Sequence, residues 1–161
     1  MNLEKKTAVV TGSASGIGKA TAKLLAANGA YVFVADINEQ AGAAVASEIK
    51  AAGHQAEYLA LDVTDVASVA RFAEQALKSR GRVDILVNVA GWGRTEPFVK
   101  NTPEFWEKLM AINLIGPIRL TRALVQPMFD AGAGKIVNVS SDAGRVGSLG
   151  ETVYSAAKGG L

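Results

Sequence analysis

Hydrophobic and polar residues follow two patterns along this chain, short apolar runs and longer amphipathic ones. The short runs are rich in β-branched residues and predict strands at 7–12, 30–36, 56–63, 83–91 and 135–141. The run VDILVNVAG at 83–91 is apolar along nearly its whole length, which is typical of a parallel strand covered on both faces. The pattern therefore indicates a sheet that is buried in the middle of the protein.

The longer runs have the period of amphipathic helices. They predict helices at 19–28, 39–52, 65–78 and 103–128, and another that begins near residue 152. Gly29 and Gly53 would end the first two helices, and Thr64 is expected to cap the third. Pro117 follows Gly116 inside the fourth helix, where it is expected to produce a kink.

Strands and helices alternate without exception, which predicts an α/β protein of the Rossmann type. Such a fold has a doubly wound parallel sheet with helices on both faces. The 161 residues suit one dinucleotide-binding domain that spans 1–161. A complete sheet of this type has at least one strand more than the pattern predicts, so we expect the domain to be incomplete at its C-terminal end.

Composition excludes several classes of function. The 17 basic residues exceed the 15 acidic ones by two and are scattered, so a nucleic-acid partner is not expected. Cysteine is absent, which excludes a thiol nucleophile and zinc–thiolate sites, and no metal site is expected. The sequence has no signal-peptide pattern and no apolar stretch of membrane-spanning length, so we expect a cytoplasmic protein without a membrane partner.

The segment TGSASGIG at 11–18 lies where the first strand meets the first helix. Gly12 would allow a tight turn, Gly16 would let the backbone approach a pyrophosphate, and Gly18 would let helix and strand pack closely. Ser15 and Ile17 lie at the start of the helix, where unpaired N–H groups and the positive end of the helix dipole favour phosphate. A glycine-rich turn without a ligand is the alternative for this motif alone.

Asp36 ends the second predicted strand, about 20 residues after the glycines, where a carboxylate can accept hydrogen bonds from the adenosine ribose. The same carboxylate would repel a 2′-phosphate, and positions 13–15 and 37 hold no basic residue to bind one. These residues predict NAD rather than NADP as the cofactor. Asp62, which ends the third strand, could bond the adenine amino group, although a polar residue leading into a helix is the alternative.

The motifs resemble those of the short-chain dehydrogenases/reductases over the whole chain. TGSASGIG resembles the T-G-x-x-x-G-x-G turn of that family, and the pair Asp62-Val63 resembles its adenine-contacting D-V pair. NVAG at 88–91 resembles N-N-A-G, with Val89 in place of the second asparagine. The resemblance implies that Asn88, Ala90 and Gly91 also belong to the cofactor site.

Four further residues match the catalytic set of that family. They are Asn113 in AINLIG, Ser141 in VNVSS, and Tyr154 and Lys158 in the pattern Y-x-x-x-K. A free tyrosine has a pKa of about 10, which is too high for acid–base chemistry at neutral pH. Lys158 would lie one helical turn along the same face and stabilise the phenolate of Tyr154. Ser141 could then donate a hydrogen bond to the substrate oxygen while Tyr154 transfers the proton.

The resemblance also implies that Tyr154 and Lys158 contact the cofactor, where Lys158 holds the nicotinamide ribose, and that Asn113 anchors a water. The expected reaction interconverts a secondary alcohol and a ketone. Residues 90–116 and 140–161 are most similar to 2-hydroxycyclohexanecarboxyl-CoA dehydrogenases, which makes an acyl-CoA an expected substrate. A 3-oxoacyl thioester reductase and a non-catalytic NAD-binding protein are the alternatives. Members of the family are usually dimers or tetramers, so we expect a homodimer or homotetramer, with Arg119 and Arg122 on a solvated helix face or subunit contact.

Overall fold

A five-stranded parallel sheet forms the centre of the computed structural model, which describes residues 2–161. The strands are β1 (Thr7–Thr11), β2 (Tyr31–Asp36), β3 (Gln55–Ala60), β4 (Ile85–Asn88) and β5 (Lys135–Asn138). Their order in the sheet is β3-β2-β1-β4-β5, and every neighbouring pair is parallel. From β1 the strands are added first toward one edge of the sheet, as β2 and β3, and then toward the other edge, as β4 and β5. Doubly wound sheets bind their ligands where this order reverses, between β1 and β4. The predicted α/β fold is confirmed.

Helices connect the strands and cover both faces of the sheet. They are α1 (Gly16–Ala27), α2 (Glu39–Ala51), α3 (Val66–Arg80), α4 (Pro103–Met110), α5 (Gly116–Asp130), α6 (Ala143–Val146) and α7 (Thr152–Gly160). One buried cluster packs α3 and α5 on the sheet around Phe33, Phe72 and Leu86. The other packs α1 and α2 around Val32 and Ile49. Within the described residues, no helix combines the length and apolar character needed to cross a membrane.

The predicted helix at 103–128 is divided in two. A π turn at Ala111–Ile115 separates α4 from α5 immediately before Gly116 and Pro117. Pro117 has no N–H to donate to the preceding turn, so the regular helical ladder cannot continue through this point. Gly116 packs so closely on Val63 that a Cβ atom there would lie 2.8 Å from the Val63 side chain. The predicted interruption is present, as a π turn that separates two helices.

The cap of α3 is Asp65, so the prediction of Thr64 as the cap was wrong. The Asp65 side chain accepts a hydrogen bond from the Ala67 N–H over 2.9 Å. A carboxylate is favoured at this position because it also interacts with the positive end of the helix dipole. Thr64 instead donates its hydroxyl to Asp62 Oδ1 over 2.6 Å. Its carbonyl oxygen accepts from Arg119, 2.7 Å away, so that arginine is tied to the loop between β3 and α3.

Candidate functional site

The glycine-rich turn joins β1 to α1 at the carboxyl edge of the sheet. A Cβ atom at Gly18 would lie 2.2 Å from the carbonyl oxygen of Gly12, so only glycine allows α1 to approach the turn this closely. Gly16 has a φ of +50°, and a Cβ there would meet no atom within 4 Å. Its backbone therefore faces open space, as the predicted approach to a pyrophosphate requires.

A cavity of about 820 Å³ lies at this edge of the sheet. Its volume is within the range of small-molecule sites. Ten of the residues predicted for the cofactor line it: Gly12, Ser15, Gly16, Ile17, Gly18, Asp36, Asp62, Val63, Ala90 and Gly91. The turn, the ends of β2 and β3 and the segment after β4 are thereby brought together around one space, which fits a dinucleotide.

Asp36 is held at the end of β2 by two backbone N–H groups. Its Oδ2 accepts from Ala14 and its Oδ1 from Asn38, both over 2.9 Å. No salt bridge involves this carboxylate within residues 2–161. Each oxygen keeps a lone pair for a further donor, so a negatively charged acceptor is fixed in the cavity wall.

Asp62 is also fixed before any ligand binds. Its Oδ1 accepts from both the N–H and the hydroxyl of Thr64, over 2.8 and 2.6 Å. Ser68 accepts a hydrogen bond from the Asp62 N–H over 3.0 Å. Arg119 then ties Thr64 to α5. This role of Arg119 was not predictable from the residue pattern, because its partner is a backbone carbonyl distant along the chain.

Asn88 does not line the cavity, unlike the other residues predicted for the cofactor in that segment. Its amide donates to Asn138 Oδ1 over 2.8 Å and to Thr121 Oγ1 over 3.3 Å. It is 2% exposed and connects β4 with β5 and α5.

Thr11, which sequence reasoning missed, accepts from the N–H groups of Val89 and Ala90 over 3.0 Å each. Thr11 is the first residue of the glycine motif, so this motif is the sequence signal from which its role could have been predicted.

A second cavity, of about 400 Å³, contains Tyr154 and Lys158 in its lining. It adjoins the first, since Ile17, Val89, Gly91 and Trp92 line both. Within residues 2–161, no group of three or more potential His, Cys, Asp or Glu metal ligands is found. The site therefore consists of two neighbouring spaces, one beside the glycine turn and one beside the tyrosine and lysine.

Lys158 is buried, with 5% of its side chain exposed. Its Nζ donates to the Val139 carbonyl over 2.9 Å and lies 5.9 Å from the centre of the Tyr154 ring. Burial lowers the pKa of Lys158, because removal from water disfavours its charged form. Tyr154 and Lys158 thus lie on the same face of α7, as predicted. The Val139 carbonyl, just after β5, holds the Lys158 ammonium near the tyrosine ring.

Ser141 lies in the turn between β5 and α6. Its Oγ accepts a hydrogen bond from the Ala143 N–H over 3.2 Å. The neighbouring Ser140 lines the second cavity and donates its hydroxyl to the Lys158 carbonyl over 2.6 Å. Ser140 therefore holds α7 against the end of β5, while the Ser141 hydroxyl proton is not used by its bond to Ala143.

Asn113 lies in the π turn and is completely buried. Its Oδ1 accepts from the Trp92 N–H over 3.2 Å, and its Nδ2 donates to the carbonyls of Trp92 and Leu109 over 2.6 and 3.0 Å. The asparagine side chain thus fixes Trp92, which lines both cavities.

Aromatic side chains pack against one another around residues 92–106. The Trp92 and Phe105 rings meet edge to face, with centres 5.6 Å apart. Phe98 and Trp106 are stacked, also 5.6 Å apart. The Lys108 ammonium lies 4.1 Å from the centre of the Trp92 ring. Trp92, which lines both cavities, is therefore held by its backbone and by its ring.

Comparison with known proteins agrees with this arrangement. The family model described as short chain dehydrogenase matches residues 6–161. The chain belongs to the short-chain dehydrogenase family. Proteins of this family bind a nicotinamide cofactor, and the larger cavity of this short-chain dehydrogenase fits one.

Three relatives show the range of the family around this chain. Sorbitol dehydrogenase of Cereibacter sphaeroides is 44% identical over 98% of the chain and 61% of its own length. Cis-4-hydroxycyclohexanecarboxylate dehydrogenase of Sinomonas cyclohexanicum is 42% identical over 98% of the chain and 63% of its own length. A 3-oxoacyl-[acyl-carrier-protein] reductase of Thermotoga maritima is 37% identical over the whole chain and 65% of its own length. The chain thus spans less than two thirds of each relative.

A solved structure has the same fold. It is a metagenomic short-chain oxidoreductase in complex with NADP, with a TM-score of 0.95 and 40% identity. The superposition covers 99% of this chain and 72% of the other. The likeness extends over every element described above.

Proposed function

We propose that the full-length protein is an NAD(H)-dependent oxidoreductase that interconverts a secondary alcohol and a ketone. The observation that carries the proposal is the junction of the two cavities. The space lined by Tyr154 and Lys158 shares Gly91 and Trp92 with the space beside the glycine turn. A substrate next to the tyrosine would therefore lie beside the reactive end of a dinucleotide.

The residues of the second cavity supply the proton chemistry. When bound, the nicotinamide ring supplies or accepts hydride. In the direction of reduction, the Tyr154 hydroxyl donates its proton to the substrate oxygen, and it takes the proton back in oxidation. The Lys158 ammonium, 5.9 Å from the ring centre, stabilises the phenolate that this transfer leaves. Ser141 follows Ser140, which lines this cavity, but is not itself part of the lining; it would donate its unused hydroxyl proton to the same substrate oxygen. Asn113 lines neither cavity and holds Trp92, which lines both, in place.

The choice of NAD over NADP rests on Asp36. Its carboxylate lines the cavity and would accept hydrogen bonds from the ribose hydroxyls, whereas a 2′-phosphate would meet a negative charge. Ile37, which follows it, is 71% exposed and offers no positive charge to a phosphate. The similar solved structure contains NADP, and titration of this protein with both cofactors distinguishes the two.

A ring-bearing hydroxy acid or its CoA ester, such as 2-hydroxycyclohexanecarboxyl-CoA, is the substrate class that we favour. Trp92, which lines both cavities and packs edge to face on Phe105, offers an aromatic surface that suits an apolar ring better than a polyol. One relative is named for a hydroxycyclohexanecarboxylate, which supports the same class. The second candidate is reduction of a 3-oxoacyl thioester, which is favoured by the relative named for that reaction.

Calorimetric titration and a hydride-transfer screen on the full-length protein test the proposal. We expect tighter binding of NAD⁺ than of NADP⁺, and a change in reduced-cofactor absorbance with cyclic hydroxyacyl-CoA esters. Tighter binding of NADP⁺ would contradict the cofactor assignment. Turnover of 3-oxoacyl thioesters alone would favour the second candidate. Cofactor binding without turnover of any alcohol would indicate the non-catalytic alternative.

We further propose that residues 1–161 belong to a single dinucleotide-binding domain. By resemblance to the family, we expect a cytoplasmic homodimer or homotetramer. Light scattering of the full-length protein measures the number of subunits, and a monomer at micromolar concentration would contradict this part of the proposal.

A further inference from the structure

Charge is distributed unevenly around the larger cavity. Among the described residues 2–161, the charged side chains that line it are Asp36, Asp62 and Lys108. A dinucleotide brings two negative phosphate groups into a space whose lining already has one negative charge more than positive. Backbone N–H groups at the start of α1 attract the phosphates, but Lys108 is the single side-chain cation of this lining.

Lys108 is held at the edge of the cavity without an acidic partner. Its Nζ lies 4.1 Å from the centre of the Trp92 ring, in a cation–π contact. No salt bridge of Lys108 is found within residues 2–161, whereas Arg94, also near these aromatic rings, is paired with Glu96. An ammonium without a carboxylate partner can turn toward a phosphate without breaking an ion pair.

Trp92, whose ring contacts the Lys108 ammonium, is held in place by its own neighbours. Asn113 bonds both backbone polar groups of Trp92, and Phe105 packs edge to face on the indole. Lys108 itself lies on α4, whose first turn is capped by the Thr102 side chain. The ammonium is therefore positioned from two sides, by its own helix and by the tryptophan that lines both cavities.

We propose that Lys108 is a cofactor-binding residue that supplies positive charge to the phosphates of the bound dinucleotide, with Trp92 holding its ammonium beside the cavity. This inference rests on the proposed function, since it assumes that the cavity binds a nicotinamide dinucleotide. It goes beyond that function because the phosphate contacts expected of the glycine turn come from backbone N–H groups alone.

Binding of phosphate-bearing and phosphate-free ligands to the full-length protein tests the inference. Lys108→Gln should weaken binding of NAD⁺ and of ADP by roughly three- to ten-fold, because one charged partner of the phosphates is lost. Adenosine, which has no phosphate, should bind with unchanged affinity. The affinity of the unaltered protein for ADP should also fall more steeply with salt than that of the variant.

Two further variants separate a local charge effect from a general or structural one. Lys108→Arg should keep most of the affinity for ADP, since the charge remains. Lys100→Gln removes the same charge from an exposed residue that lines neither cavity, and it should leave both affinities unchanged. Equal weakening of ADP and adenosine by Lys108→Gln, or no change in either, would overturn the inference while leaving the proposed function intact. Failure of the unaltered protein to bind NAD⁺ would overturn both.

Discussion

The ammonium group of Lys158 donates a hydrogen bond to the carbonyl oxygen of Val139 over 2.9 Å. Val139 directly follows β5, and Lys158 lies on α7, so this bond fastens the helix that carries Tyr154 to the end of the last strand. The lysine is 5% exposed. A positive charge is thereby kept next to the tyrosine and away from water, which strengthens its effect on a nearby negative charge.

The pKa of Lys158 leads to a prediction about stability. Burial lowers this pKa below its ordinary value of 10.5, so the folded state binds the proton more weakly than the unfolded state does. The free energy of unfolding should therefore rise with pH between the lowered pKa and 10.5, and this contribution should be constant at lower pH. Urea unfolding at several pH values, compared between the unaltered protein and Lys158→Met, measures the effect. A difference between the two proteins that is independent of pH would contradict the prediction.

Tyr154→Phe should remove nearly all turnover and leave affinity for the cofactor almost unchanged. The substitution deletes the proton donor without altering the glycine turn or Asp36, and such a loss typically lowers the rate by about 10²–10⁴-fold. Steady-state kinetics and cofactor titration check the two parts. Tyr31→Phe is the matched control, because it removes a tyrosine hydroxyl that bonds Glu57 outside both cavities. Activity of Tyr154→Phe within a few-fold of the control would mean that another group transfers the proton.

Cofactor preference should change when the charge at the end of β2 is altered. Asp36→Asn combined with Ile37→Arg removes the carboxylate and places a cation beside it, while the amide oxygen can still accept one backbone hydrogen bond. We expect affinity for NADP⁺ to rise by about ten-fold, equivalent to ~1.4 kcal/mol. Ile37→Arg alone serves as the control and should give a smaller gain. Titration that finds no gain for the double variant would show that position 36 does not discriminate the two cofactors.

Two glycines of the same turn should respond differently to alanine. In Gly18→Ala, the new methyl group would lie 2.2 Å from the Gly12 carbonyl oxygen, so we expect a loss of more than about 3 kcal/mol in the free energy of unfolding. Gly16→Ala meets no atom within 4 Å and should cost only roughly 1 kcal/mol, from its positive φ. Urea unfolding measures both variants. Folded Gly16→Ala should nevertheless bind NAD⁺ more weakly, because its methyl group is added to the cavity lining; unchanged binding would argue against that role.

The sequence predicted the fold because local signals and global topology agree in this protein. Five apolar runs became five strands, and the residues at their ends, such as Asp36 and Asp62, necessarily meet at the carboxyl edge of a parallel sheet. Tyr154 and Lys158 lie four residues apart, so any helix would place them on one face. These parts of the site follow from periodicity and chain direction alone.

The features that were missed depend on contacts between distant segments. Asn88 points toward Thr121 and Asn138, on α5 and β5, and nothing in NVAG shows which face of the strand its side chain takes. Arg119 bonds a backbone carbonyl 55 positions away, which leaves no trace in the pattern of residue types. The cap of α3 was misassigned by one residue, because Thr64 and Asp65 are both good caps and the carboxylate of Asp62 occupies the threonine.

The π turn at Ala111–Ile115 changes the direction in which the side chains of α5 point relative to those of α4. Without the turn, the two helices would form one continuous helix with a single apolar face. Each residue of an α-helix advances the direction of the side chains by 100°. A turn that contains one additional residue therefore lets α4 aim Lys108 at the cavity while α5 independently aims Leu120 and Leu124 at the sheet. The same turn carries Asn113, so a single irregular segment both holds Trp92 and sets the direction from which Lys108 faces the cavity.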